Sequence, residues 1–441
     1  MLIHLKLEHF KIWNTTGPIR LAPLTLLLGT NSSGKSSLIQ SLLLIRQTVK
    51  GTDDSLDLNF GNPEMADSVT LGQFNDVLCR HATKSEITPA NQIGIEFRWS
   101  EDGSAADSVM FSARYRKGNG GSAELDYLRL GKDGQGFTVL RRKQSIYRLS
   151  LGAERKALGQ HVSYRPERSF ALSPAVINKL GIKGDAIKPI GPALLDELSK
   201  IIYLGPVRRL AQRDYIWSGR MPAHIGDDGA KAVDALIASG IAMQSAIRQK
   251  TTPPPEATLF KQTEFWLNQM NLAEGLEVKA LGNSARYELL IKSNGELANL
   301  KDVGVGVSQV LPVIVAALFA KRGHIVMVEE PESHLHPLAQ SQLAELFAKI
   351  SAERGVQFIV ETHSEHLFRR MQTLIAKKEL SLDKGAMYFV ERDGKSAKLR
   401  TLALNEFGQV SNWPDKFFGD SVGEARTQAM ARAGIREISN E

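Results

Sequence analysis

The segment Gly29-Thr-Asn-Ser-Ser-Gly34-Lys35-Ser36 constrains this chain more than any other feature. It matches GxxxxGK[ST], a phosphate-cradling loop, and its flanks are those the loop requires. An apolar strand, Leu24 to Leu28, runs into it, and beyond Ser36 the residues Leu38, Leu42 and Ile45 recur at helical spacing. Glycines let backbone N–H groups turn inward around phosphate oxygens, and the helix N-terminus adds partial positive charge. Gly29, Asn31, Ser32, Ser33, Gly34 and Ser37 are the expected lining of that cradle. Lys35 would contact the β- and γ-phosphates, and the Ser36 hydroxyl would ligate magnesium. ATP with Mg²⁺ is the expected ligand pair. Strand, glycine turn and helix together open an α/β domain.

Three further segments carry chemistry. In HIVMVEEPESHLHP (324–337), the apolar run Ile325–Val328 reads as a buried strand that delivers two adjacent carboxylates. In a P-loop ATPase, Glu329 would hold magnesium through water and Glu330 would polarise the attacking water as general base. Two buried carboxylates with no cation are costly, so an associated Mg²⁺ makes sense of them. His334 and His336 lack the i, i+4 spacing of a helical zinc site and read instead as a loop lining the nucleotide or a partner subunit. QFIVETHSEHLF (357–368) is a second apolar strand, ending at Thr362-His363-Ser364. A histidine there points into the crevice where α/β proteins bind ligands, so His363 could bond a γ-phosphate or orient water. Asp302-Val-Gly-Val-Gly-Val-Ser308-Gln lies before an apolar helix, an anion-binding pattern that is weak when taken alone.

Taken together and in this order, the segments resemble the ABC-class ATPases of the SMC, RecF and OLD group. HLKLEHFKIW followed by PLTLLLGTNSSGKSSL is similar to their first strand and Walker A; IVMVEEPESHLHP resembles the OLD-type Walker B, and THSEHL the switch-histidine segment. DVGVGVSQVLP stands where the signature belongs, departing from LSGGQ but keeping Ser308 and Gly306. LGQFNDV (71–77) stands where the Q-loop would lie, so the resemblance makes Gln73 a candidate for meeting magnesium or nucleotide. YLGPVRRLAQRDY (203–215) is similar to a segment of stand-alone OLD-like ATPases, many linked to phage defence.

The resemblance implies an α/β, ABC-type P-loop core, discontinuous over 1–85 and 300–405. A large insertion at 86–299, β-rich then helical, would divide it, and 406–441 would form a C-terminal extension. It also implies a head-to-tail homodimer or higher oligomer, with Ser308 of one chain facing the Walker A of the other. ATP would close the dimer and hydrolysis would open it, in an ATPase that senses or regulates within an anti-phage or DNA-maintenance system. A separate effector protein, such as a nuclease, is expected, because the chain ends roughly 75 residues after His363, which leaves no room for a Toprim domain. No sustained heptad run suggests a long coiled-coil arm. Two other readings stay open: a nucleotide-locked scaffold that sequesters its effector, and a repair ATPase that binds DNA directly.

Charge bears on the DNA reading. Between 137 and 190 there are eleven Lys or Arg against three acids, a local net of +8 beside +7 for the whole chain. Such a patch can neutralise phosphates, and Tyr147 and Tyr164 could stack bases. The same charge could equally be a solvated face or a dock for an acidic protein. The single cysteine, Cys79, excludes an internal disulfide framework and a Cys-rich zinc site. The N-terminus alternates like a strand instead of forming a leader, and no apolar run is long enough for a spanning helix. A cytoplasmic protein without membrane contact is the expectation.

Overall fold

A computed structural model describes residues 1–62, 64, 67–83, 88–101, 103–132, 135–142, 146–152 and 164–413. The chain opens with β1 (Leu2–Phe10), β2 (Trp13–Thr15), β3 (Ile19–Arg20) and β4 (Leu24–Gly29), then α1 (Lys35–Lys50) and the short α2 (Phe74–Val77). Five strands follow: β5 (Gln92–Trp99), β6 (Val109–Lys117), β7 (Ala123–Gly131), β8 (Phe137–Arg141) and β9 (Tyr147–Leu151). Next come α3 (Pro174–Leu180), α4 (Ile182–Ile187), α5 (Ile190–Ser199), β10 (Ile201–Leu204), β11 (Tyr215–Ile216), α6 (Ala232–Gln249) and α7 (Thr258–Gln269). The remainder runs β12 (Gly275–Ala280), β13 (Arg286–Ser293), β14 (Glu296–Asn299), α8 (Val305–Phe319), β15 (Ile325–Glu329), α9 (Pro337–Arg354), β16 (Gln357–Glu361), α10 (Glu365–Ala376), β17 (Gly385–Asp393) and β18 (Ser396–Thr401).

The central sheet has the order β10-β15-β16-β4-β17-β18. Its neighbours are parallel except the terminal β17–β18 hairpin. Strands buried on both faces read as near-continuous apolar runs, here LTLLL, IVMV and QFIV, with Thr25 and Gln357 hydrogen-bonded to backbone. Leu24, Leu26, Val326, Val328, Phe358 and Val360 face a core shared with α6 to α10. Leu27, Met327 and Ile359 face the opposite way, toward α1 and the inner face of a second sheet. That second sheet has the order β2-β1-β5-β6-β7-β8-β9, with β3 paired to β1. A third sheet joins β11, β13 and β12, with β14 on β13.

Helix α1 lies between two sheets and is buried almost all round. Leu38, Leu42, Leu43, Leu44 and Ile45 are each at most 2% exposed. Each such side chain contributes roughly 1.5–3 kcal/mol by burial, so the helix behind the phosphate loop is held as part of the core. Among the described residues no helix is long and apolar enough to cross a membrane. None exceeds the 18 residues of α6 and α9, so no long coiled-coil arm is present among them.

The topology draws the lobe boundaries differently from the expected 1–85/300–405 core with an 86–299 insertion. β1 pairs with β5, Leu5 opposite Phe97, so the N-terminal strand belongs to the antiparallel sheet together with much of the expected insertion. β10 is the edge strand of the central sheet, with Ile201 opposite Ile325. Both pairings join segments far apart in sequence, which local alternation cannot reveal. Of the expected extension, residues 406–413 are described: Gly408 packs on the Gln372 carbonyl and Trp413 meets the Phe368 ring. Residues 414–441, including most of WPDKFF, lie outside the described residues.

Candidate active site

Parallel register brings the chemistry together. β4 lies between β16 and β17, and β15 lies beyond β16, so their C-terminal ends form one edge of the sheet. Glu329 is directly opposite Glu361 at that edge, and Glu361 is opposite Leu27, two residues before Gly29. Ligand crevices in open α/β sheets lie outside this edge.

The phosphate loop follows from its glycines. Gly29 has φ 145, and a Cβ there would lie 2.1 Å from the Val390 carbonyl oxygen of β17. Gly34, at φ 110, is the N-cap of α1, and a Cβ would meet Ile12 and the Trp13 indole. The indole N–H donates to the Gly34 carbonyl at 3.0 Å. Asn31 and Ser32 are exposed, Ser33 and Ser37 buried. Lys35 is 3% exposed, and its ammonium donates to the carbonyls of Thr30 (2.8 Å) and Gly29 (3.2 Å). Burial pushes that ammonium below its ordinary value, against the pull of Glu361, Glu330, Glu332 and Glu329.

The acidic side was only partly read from sequence. The Ser36 hydroxyl donates to Glu361 Oε1 at 2.9 Å, and Lys35 Nζ lies 3.9 Å from the same oxygen. Glu361 was overlooked although it stands in the quoted segment QFIVETHS. The missed signal was the one that identified Glu329: an acid closing an apolar parallel strand. Burial, then the neighbouring Glu329, raise the Glu361 carboxyl to about 7. Glu329 accepts from the Tyr203 hydroxyl at 2.8 Å, and burial raises its carboxyl too. Glu330 takes the left-handed backbone, φ 45, with its N–H on the Glu361 carbonyl (2.8 Å) and its carboxylate accepting from Ser333 Oγ (3.1 Å).

His363 stands on the exposed side of the crevice. Its backbone N–H donates to Glu332 Oε1 at 2.6 Å. Burial and then Lys35 push its imidazole below the ordinary value, against Glu330. A neutral ring at pH 7 follows, able to donate one hydrogen bond and accept another. Tyr203, Arg208 and Glu332 were also missed. Arg208, 4% exposed, donates through Nη2 to the carbonyls of Glu329 (2.6 Å) and Glu330 (3.0 Å). Nothing in YLGPVRRLAQRDY distinguishes it from the exposed Arg209.

Glu361 Oε2, Glu332 Oε2 and Ser33 Oγ are buried without a hydrogen-bond partner. Hard oxygen donors around Ser36, Glu329 and Glu361 suit magnesium. Gln73 does not join them. It starts α2, its N–H on Asp76 Oδ2 at 2.9 Å, and its side chain lies against Gly121. It hydrogen-bonds to neither Ser36 nor Glu329 among the described residues. The β-sheet pairing that leads the chain into β5–β7 brings a turn over α2, and Gln73 packs there. Ser308 falls inside the first turn of α8, its hydroxyl donating to the Val305 carbonyl at 2.9 Å. It lines a cleft of about 360 Å³ with Leu210, Tyr215 and Arg286, to which no residue of 29–36 contributes. Gly306 packs against the His334 carbonyl, and His336 caps α9.

Among the described residues of the basic region, neither tyrosine offers a face for stacking. Tyr147 and Tyr164 are 3% and 5% exposed, and the Tyr147 hydroxyl donates to the Leu125 carbonyl. Strand alternation turns Tyr147 into the core beside Leu149. Arg141 pairs with Glu124, Arg165 with Asp57 and Arg168 with Asp54. Lys143, Arg155 and Lys156 lie outside the described residues.

An AAA ATPase domain model matches residues 243–368, the stretch that carries Ser308, Glu329, Glu330 and His363. A second model, for a protein of unknown function (DUF3696), matches residues 380–428. No curated protein sequence matches the chain. Among solved structures, the SMC head domain from Thermotoga maritima is 12% identical, with 91% of this chain and 99% of that one covered and a TM-score of 0.41. An Smc head bound to the C-terminal winged-helix domain of ScpA is 14% identical over 92% and 98%, at 0.46. An Smc head with an extended coiled coil from Pyrococcus furiosus, bound to the C-terminal domain of ScpA, is 12% identical over 98% and 99%, at 0.44. The chain therefore carries an ATPase domain on an α/β fold. That reading rests on the matched domain and on the sheet edge that gathers the loop, Glu329 and Glu361.

Proposed function

We propose that this chain is a Mg²⁺-dependent ATPase that works as a two-subunit switch. The observation that carries the proposal is the Ser36–Glu361–Lys35 contact at the edge where Glu329 and Glu330 also end. Loop 29–36 would take the ATP phosphates, with the Lys35 ammonium exchanging the Gly29 and Thr30 carbonyls for phosphate oxygens. Ser36 and Glu329, joined by Glu361, would hold magnesium, which when bound neutralises phosphate charge. Glu330 would accept the proton of the attacking water, and neutral His363 would orient that water or the γ-phosphate.

Ser308 lines a different cleft from loop 29–36, which supports a role opposite the loop of a second chain. Differential affinity of ATP for the closed pair would drive the switch. Its output would be control of a partner effector such as a nuclease, within a defence or DNA-maintenance system, as the family resemblance implies. Direct nucleic-acid binding through 137–190 is the weaker reading, because both tyrosines are buried and three of the arginines are paired with carboxylates. The test is the mass of the Glu330→Gln chain in solution with and without ATP and Mg²⁺. A dimer with ATP and a monomer without it is expected, and Lys35→Ala should stay monomeric throughout. The same mass for all samples would overturn the switch.

A further inference from the structure

We infer that Arg208 is a positioning residue that sets the geometry of Glu330, an inference that rests on the ATPase reading above. Glu330 is one of eleven non-glycine residues at positive φ among the described residues, and its neighbour Glu329 ends β15 in regular strand geometry. The chain must therefore turn sharply between the carboxylate that would serve the metal and the one that would serve water. A left-handed residue of this kind is strained and persists only when its surroundings over-determine it.

Two contacts do so. On one side, the Glu330 N–H is held by the Glu361 carbonyl at 2.8 Å. On the other, one nitrogen of Arg208 bridges the carbonyls of Glu329 and Glu330, 2.6 Å and 3.0 Å away. The peptide that aims Glu330 is thus clamped from β16 and from the segment after β10. Both bonds come from Nη2, at the far end of the stem; a lysine ammonium keeps the charge, but its nitrogen stands one bond nearer the backbone and falls short of this pair of carbonyls.

The guanidinium is suited to more than filling space. It is 4% exposed, and burial lowers it to about 10, against the pull of Glu332, Glu330 and Glu329, so it stays charged at neutral pH. Its Nε and Nη1 are buried without a hydrogen-bond partner, as is Glu332 Oε2. Glu332 in turn holds the His363 backbone N–H through its other oxygen. Arg208 therefore sits among the groups that orient both Glu330 and His363 while contacting neither the phosphate loop nor Ser36. A residue of that kind should act on the chemical step and leave nucleotide binding alone.

The experiment compares wild type, Arg208→Lys and Arg208→Ala, each as the full chain, by Mg-ATP turnover and by binding of a fluorescent ATP analogue. Arg208→Ala should lower kcat by about ten- to a hundredfold with KM and analogue affinity within about threefold of wild type. Millimolar guanidinium ion should restore part of the lost kcat in Arg208→Ala and none in Glu330→Gln. Arg208→Lys keeps the charge and most of the volume, so it guards against a variant that does not fold, and it should lose about tenfold in kcat. Unchanged kcat in a folded Arg208→Lys, or a rise in KM with kcat intact, would overturn the positioning role while leaving the ATPase reading standing. Wild type that binds ATP but never turns it over would overturn both.

Discussion

Replacing Glu361 by Gln should stabilise the nucleotide-free protein at pH 8 and have little effect at pH 5. The carboxyl is 4% exposed, faces Glu329 across the sheet, and is raised from 4.5 to about 7 by burial and that neighbour. A folded value above the unfolded one means that the folded state binds the proton more tightly. The group's contribution to stability is then full below about pH 4.5 and is lost as pH rises through about 7. One pKa unit corresponds to 1.36 kcal/mol, so a ceiling of roughly 3 kcal/mol is withheld from the wild type at pH 8. That value already contains the pull of Lys35, 3.9 Å away, and the variant forgoes that ion pair, so a gain of about 1–3 kcal/mol, at or below the ceiling, is the expectation. Glutamine still accepts the Ser36 hydroxyl, and its amide would face the Glu329 carboxylate. With an unfolding entropy of roughly 2 cal/mol/K per residue, a chain melting as one unit would shift by about 1 °C per kcal/mol. Thermal melts of both proteins from pH 5 to pH 8.5, without nucleotide, would read it. A variant less stable than wild type at pH 8, or a difference that ignores pH, would refute the reasoning.

Gly29→Ala should destabilise by at least about 3 kcal/mol and abolish nucleotide binding, because its Cβ would lie 2.1 Å from the Val390 carbonyl at φ 145; near-wild-type melting with intact ATP binding would contradict this. Tyr203→Phe removes the 2.8 Å hydrogen bond to Glu329 and should cost about 1–3 kcal/mol at pH 8 while raising the Mg²⁺ concentration for half-maximal turnover. Melts and a magnesium titration check it, and an unchanged magnesium requirement would count against Glu329 as a ligand.

What could be read without coordinates was local. Gly29 to Ser36 and Ile325 to Glu330 each write strand, turn and chemistry into a dozen consecutive residues, so period and turn residues suffice. Glu361 was harder, because an acid closing a strand becomes informative only when β16 is known to lie between β4 and β15. Arg208 was harder still: its partners are backbone carbonyls more than a hundred residues away, and no side-chain pattern announces them. Gln73 is the converse case. A glutamine at the expected distance along the chain says nothing of which way α2 presents it, and here the turn between β6 and β7 takes the side chain. Tyr147 shares a face with the buried Leu149, which places its ring in the core. Lobe boundaries are not written locally, because the partner of β1 is β5 and long-range pairing leaves no mark on either strand alone.

The most direct test of the central claim is phosphate release from ATP by wild type, Lys35→Ala and Glu330→Gln, beside binding of ATP to each. Turnover by wild type is expected, with loss of both binding and turnover in Lys35→Ala, and retained binding with at least a hundredfold loss of turnover in Glu330→Gln, a barrier increase of about 3 kcal/mol. Turnover that survives Glu330→Gln, or a Lys35→Ala chain that still binds ATP as wild type does, would contradict the site described here.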